Sequence, residues 1–189
     1  KKWVSFTSVT YGSFGDLIQG NQRSAAYPNF GKKDFYVIRS GNTDVSVPNP
    51  NPNKQIASGY KQVDVTQKFL YQASDKIQHV FNLQFSNSSD IPRYDRLSEK
   101  TGNTPVFAEW YYGPQIRNMA AYQLSAKEQN GFFQDLKLTT SFQDIEESRI
   151  TRRFQNNNKD FRWERIQVFG VNFDAKHYAG NHELHVGAE

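Results

Sequence analysis

The chain contains no cysteine, which removes disulfides, thiolate nucleophiles and thiolate metal sites from consideration. No stretch approaches the roughly 20 consecutive apolar residues that a membrane-spanning helix requires. That excludes a helical span but not a β-barrel, in which only every second residue meets lipid. Charge of one sign is missing too. The formal net charge is +4, and Lys and Arg are interleaved with Asp and Glu along the chain. The one local basic cluster, Arg149, Arg152 and Arg153, sits beside Glu146 and Glu147. A nucleic-acid footprint needs its basic residues gathered on one stripe, so nucleic acid is not expected as a partner.

Catalytic patterns are equally scarce. No Ser-His-Asp set or Gly-rich phosphate loop stands out, and Glu146 and Glu147, as neighbours in a strand, would point to opposite faces. No catalytic residue is assigned, and the chain is not read as an enzyme. Of the four histidines, His177, His182 and His185 surround a short turn. Three imidazoles close together are a zinc or copper pattern, but His182 and His185 fall on different faces of a strand, so no metal ligand is assigned. No intrinsic cofactor is expected.

What is present is alternation. Val63, Val65, Phe69 and Tyr71 share one face of a strand while Gln62, Asp64, Thr66 and Lys68 share the other. After Ala73-Ser74-Asp75, Ile77, Phe81, Leu83 and Phe85 alternate with Gln78, Asn82, Gln84 and Ser86. Period two means a sheet with one apolar and one polar face. Further strands are expected over Trp3–Gln19, Val106–Ala126, Phe132–Glu146, Phe161–His177 and from His182 onward. In the fourth strand, Trp110, Tyr112, Ile116, Ala120, Tyr122 and Leu124 are expected on one face. Leu136, Leu138 and Phe142, then Phe169, Val171 and Phe173, continue the apolar set. A tight turn is expected at Glu128-Gln129-Asn130-Gly131.

Long polar loops are expected at Gly20–Gln55, Asn87–Thr104 and Glu147–Asp160. The first holds the Pro48-Asn49-Pro50-Asn51-Pro52-Asn53 run, which cannot be a central strand, and a short stretch of strand character at Tyr36, Val37 and Ile38. Long loops at one end and short turns at the other are the rhythm of an outer-membrane meander. The expected fold is therefore all-β: a partial antiparallel transmembrane β-barrel, laid out as an open curved sheet of about seven meander strands. Both chain ends fall within strand-like sequence, so residues 1–189 are read as one internal segment of a barrel. A passive or adhesive barrel without energy coupling, a soluble β-sandwich or a carbohydrate-binding β domain are the alternatives.

Four segments carry a family resemblance. Asn82–Leu97, Ala108–Gln115 and Phe142–Phe154, together with the strand Val168-Phe-Gly-Val-Asn-Phe-Asp174, resemble the barrel of TonB-dependent outer-membrane receptors, most of all the haemoglobin/haem receptor group of Bacteroidetes-type bacteria. The resemblance implies a barrel of about 22 strands, with a plug domain and TonB box outside this segment. It implies a place in the outer membrane of a Gram-negative bacterium, with membrane lipid, the TonB complex acting through the plug, and an extracellular ligand as partners. It also implies energised uptake of an iron-containing cargo, haem or haemoprotein-derived haem, with a siderophore or other nutrient as the alternative. The Phe-Arg-Ala-Pro and Asn-Pro-x-Leu motifs common among haem receptors do not occur here. Ligand contact is expected from two loop groups, Arg93, Tyr94 and Arg96, and Arg149, Arg152, Arg153 and Phe154, because guanidinium forks pair with carboxylates and stack on planar rings.

Overall fold

The computed structural model describes residues 2–189. Thirteen strands and one helical turn follow in chain order: β1 (Trp3–Phe14), β2 (Phe35–Ser40), β3 (Thr43–Pro48), β4 (Tyr60–Gln72), β5 (Ile77–Ser88), β6 (Ile91–Pro92), α1 (Tyr94–Leu97), β7 (Lys100–Thr101), β8 (Thr104–Pro105), β9 (Phe107–Tyr112), β10 (Ile116–Ala126), β11 (Asp135–Arg153), β12 (Asp160–Ala179) and β13 (His182–Ala188). The long strands pair antiparallel in the order β1-β4-β5-β10-β11-β12-β13 and curl into a half-barrel, with β1 and β13 at the two ends. Between the long strands the chain moves only to its neighbour, as a meander does. The β2–β3 hairpin, set in the first long loop, and the β7–β8 ribbon form small sheets of their own.

Register divides the sheet into two faces, because directly paired residues share a face. One row reads Trp3, Tyr71, His79, Leu124, Leu138, Phe173, Ala188. The next reads Ser5, Phe69, Phe81, Tyr122, Thr140, Val171, and the one after Thr7, Gln67, Leu83, Ala120, Phe142, Phe169. The opposite face carries Gln62, Asp64, Lys68, Gln84, Lys137 and Gln143, the polar set expected from alternation. Apolar exceptions on that face include Val4 and Phe6 in β1, Leu70 in β4, Val80 in β5, Met119 in β10, Ile145 in β11, and Ile166 and Val168 in β12. At the short-turn end of the apolar face, Trp3 stacks on Tyr71 with ring centroids 4.4 Å apart, and His79 stacks between Tyr71 and Tyr122 while sharing a 2.8 Å hydrogen bond with the Tyr122 hydroxyl.

Almost nothing covers this sheet. Among the described residues only Phe35, Trp110, Ile150 and Ala175 are buried apolar side chains. Phe81 is 43% exposed, Leu83 47% and Phe169 73%. Burial collects instead where the first long loop meets β9 and β11. In that loop the Pro-Asn run closes on itself: the Asn49 side-chain amide donates to the carbonyls of Lys33 (2.8 Å) and Lys54 (2.9 Å), while the Asn49 and Asn51 side chains accept from the N–H two residues on.

Four boundaries depart from the expectations. First, the expected fourth strand is two, broken at Gly113-Pro114-Gln115. Pro114 has no N–H to give, and the four steps from Tyr112 to Ile116 lie opposite only three from Arg149 to Glu146. The extra residue reverses the facing, so Trp110 and Tyr112 lie on the polar side while Ile116, Ala120, Tyr122 and Leu124 keep the apolar one. Second, Glu147–Asp160 is not a loop. Residues up to Arg153 continue β11, because β9 and β12 supply ladder partners on both sides, and the connection shrinks to residues 154–159. Third, the turn after β10 spans residues 127–134 and closes through Gln129 N–H donating to the Gln134 carbonyl at 2.8 Å, not through a two-residue Asn-Gly turn. β1 also ends at Phe14 rather than Gln19.

Gly113 is where the break meets β11 most closely. Its N–H donates to the Ser148 carbonyl at 2.9 Å, and a Cβ there would lie 2.1 Å from Ser148 Oγ and 2.9 Å from Ile150 Cδ1. Gly113→Ala is therefore expected to destabilise the fold by about 1–3 kcal/mol through overpacking. Urea unfolding checks it, with Gly15→Ala, which has open space around it, as the comparison.

Candidate functional site

Strand alternation separates the basic cluster of β11. Arg149, Thr151 and Arg153 lie on the polar face, while Ser148, Ile150 and Arg152 lie on the other. Arg152 is 4% exposed, and its guanidinium is fully engaged. Nη1 and Nη2 donate to the Asp44 carboxylate at 2.7 and 2.9 Å, Nη1 also reaches the Asn156 carbonyl at 2.9 Å, and Nε donates to Glu109 at 2.7 Å. Asp44, just after the β2–β3 turn, accepts further bonds from Arg39 (2.9 Å) and from the Gln155 N–H (2.7 Å). Lys159 completes the network on Glu109 at 2.5 Å. Arg152 thus fastens the β2–β3 hairpin to the wall and is unavailable to a ligand.

The charge states follow from these bonds. The Arg152 hydrogen bonds, helped by Arg39 and the Gln155 N–H against the opposing effect of burial, hold the Asp44 carboxyl well below the usual carboxylate range. Burial pushes Glu109 up, but bonds from Lys159 and Arg152 outweigh it and keep that carboxyl low.

On the polar face a cavity of about 280 Å³ opens among Arg96, Phe107, Trp110, Arg149, Thr151, Arg153, Asp160 and Arg162. It unites the two groups expected from the sequence, since Arg96 comes from α1 and Arg149 and Arg153 from β11. The guanidinium of Arg93 lies 4.7 Å from the centre of the Trp110 ring; Arg93 also pairs with Asp95 at 3.0 Å and donates to the Tyr112 hydroxyl at 3.4 Å. Arg149 lies 5.7 Å from the Trp110 ring and 5.8 Å from that of Tyr112, and Arg153 6.0 Å from that of Phe107. Such cation–π contacts contribute about 0.5–1 kcal/mol each when exposed.

Four members of the expected set do not line the cavity: Arg93 lies beside it on the Trp110 ring, Arg152 is spent on the other face, and Tyr94 and Phe154 point elsewhere. Tyr94 turns toward the first long loop, with Lys33 Nζ 5.0 Å from its ring; burial, then the nearby Asp16 charge, pushes its hydroxyl up to about 12. Phe154 closes the end of β11, its N–H bonded to the Val106 carbonyl at 3.1 Å. Trp110, Tyr112 and Arg162 were not among the expected site residues. The signal for the first two was Gly113-Pro114, a break able to reverse the facing of the aromatics before it. The histidines do not converge: His177 and His182 lie on the apolar face and His185 on the polar one, and the described residues hold no metal-binding group of three or more His, Asp or Glu.

No known protein family, curated protein or solved structure matches the chain.

The Arg152 network makes a direct prediction. Breaking a buried pair by removing one partner costs about 3–5 kcal/mol, so Arg152→Ala should free the β2–β3 hairpin while leaving the wall intact. Hydrogen exchange at residues 35–48 should accelerate strongly, and exchange in β4, β5 and β10 should not. In the unaltered protein the depressed Asp44 carboxyl sets the pH response. Its contribution is complete above the unfolded carboxylate range and is lost as pH falls through the lower folded value. Hairpin protection should accordingly stay flat from pH 8 to about pH 5 and decline only in stronger acid. Protection lost near pH 6 would point to a different group.

Proposed function

We propose that this chain forms part of the wall of a large outer-membrane β-barrel receptor of the TonB-dependent kind, which takes up an iron-containing ligand such as haem or an iron chelate at its long-loop end. The observation that carries the reading is a single antiparallel layer with one face open and largely apolar across the rows from Leu138 to Phe142. A soluble domain buries such a face against a second layer; a barrel wall gives it to lipid. Rings at the short-turn end of the apolar rows, Trp3, Tyr71 and Tyr122, suit the headgroup level, where amphipathic aromatics gather. The polar face would then line the inside, toward the plug that the family resemblance implies.

The cavity lies toward the long-loop end. Arg149 is seven residues beyond Phe142 on β11, roughly 23 Å along the strand at about 3.3 Å per residue. A ligand arriving from outside would meet its arginines before reaching the membrane band. Haem propionates or chelate carboxylates match their charge. Energy for release would come from the TonB complex acting on the plug, not from the wall itself.

The test compares the two faces. Leu138→Arg and Phe169→Arg should each destabilise the lipid-embedded protein by about 2–4 kcal/mol and block folding into phospholipid vesicles, read by heat-modifiable electrophoretic mobility. Thr139→Arg, one residue along on the polar face, should fold nearly as well as the parent. A monodisperse, cooperatively melting protein in detergent-free buffer, insensitive to Leu138→Arg, would overturn the membrane reading.

A further inference from the structure

The cavity between α1, β9, β11 and β12 gathers guanidinium groups that form no salt bridge within the described residues. Of its four lining arginines, Arg96 is paired with Glu99. Among the described residues, Arg149, Arg153 and Arg162 have no carboxylate within ion-pair distance, although Asp160 lines the same cavity. Arg149 Nε is moreover buried with no hydrogen-bond partner. A buried donor left unpaired is destabilising, and a bound acceptor would remove that penalty. Glu147 and Glu164 stand one row along on the same face, beside Arg149 and Arg162, so what the cavity offers is three guanidinium forks without a salt bridge rather than a large net charge.

Size and surface narrow the ligand. A volume of about 280 Å³ lies just below the roughly 300–1,000 Å³ of sites for drug-sized molecules, and corresponds to about nine waters at roughly 30 Å³ each. That admits a compact molecule or one arm of a larger one. The aromatic walls are already engaged by cations, with Arg93 and Arg149 at Trp110 and Arg153 at Phe107. Recognition must therefore come from the guanidinium forks rather than from stacking on a free ring. Guanidinium forks bind carboxylates in a bidentate, charge-assisted manner. We infer that this cavity binds a compact polycarboxylate, held by Arg149, Arg153 and Arg162.

The inference names the ligand chemistry of the site proposed above, and rests on the barrel reading only for the side from which the ligand arrives. Citrate is a suitable probe, with its trimethyl ester as the uncharged control and inorganic phosphate as the competing oxyanion. Titration calorimetry on the protein in micelles should show saturable 1:1 citrate binding that weakens with salt and is absent for the ester. Arg149→Gln and Arg153→Gln should each weaken it at least about tenfold, with heat-modifiable mobility unchanged. Arg162→Gln, at an exposed strand position, tests the same site should either of the others misfold. No saturable citrate binding, equal binding by the Arg149→Gln/Arg153→Gln double variant, or tighter binding of phosphate than of citrate would overturn the assignment. Sedimentation without detergent reports on the barrel reading separately: citrate binding by a soluble protein would retain the site and reject the membrane wall.

Discussion

β11 runs for 19 residues with a hydrogen-bonded strand on either side, β12 on one and first β10, then β9 on the other. Pairing on both sides leaves no freedom to slip, because a shift of one residue would send every side chain to the wrong face. The apolar rows, the polar face and the arginine cavity are all consequences of that one register. So is the division of labour within the basic cluster. Arg152 and Arg153 are adjacent in the chain yet serve opposite sides of the sheet.

Arg152 shows how a charge becomes structural. Buried and bonded to Asp44 and Glu109, it joins elements 108 residues apart in the chain. Arg149 and Arg153, three residues before it and one after, carry the same charge, but they meet rings and open space instead of a bonded carboxylate. A guanidinium supplied with anions by its own protein is a fastener; one left without them is a receptor for anions from elsewhere. The β2–β3 hairpin, held chiefly through the Asp44 cluster, is the element whose mobility such a fastener would limit.

Alternation made much of the sheet legible in advance. Lys61–Phe85 reads as a hairpin with one apolar face because period two survives along both strands, and its turn and facing appear in the structure. The Pro-Asn run reads as irregular because three prolines lack donors. The stretch from Glu147 to Arg153 is harder, since Glu, Ser and Arg outnumber its apolar residues and a loop is the natural reading. Its β conformation comes from neighbours willing to pair with it, which no local preference reveals.

By itself, the order of residues determined that this chain builds antiparallel sheet with two unlike faces, and that cysteine is absent while arginines cluster near the end of β11. Both follow from local facts: side chains alternate along a strand, and composition limits the available donors. Which arginines meet was decided only by tertiary structure. The facing of Trp110 and Tyr112 turns on one extra residue between β9 and β10 relative to β11, and the capture of Arg152 turns on Asp44 arriving from a distant hairpin. Register and long-range ion pairs depend on partners far along the chain, so no local pattern could have assigned them.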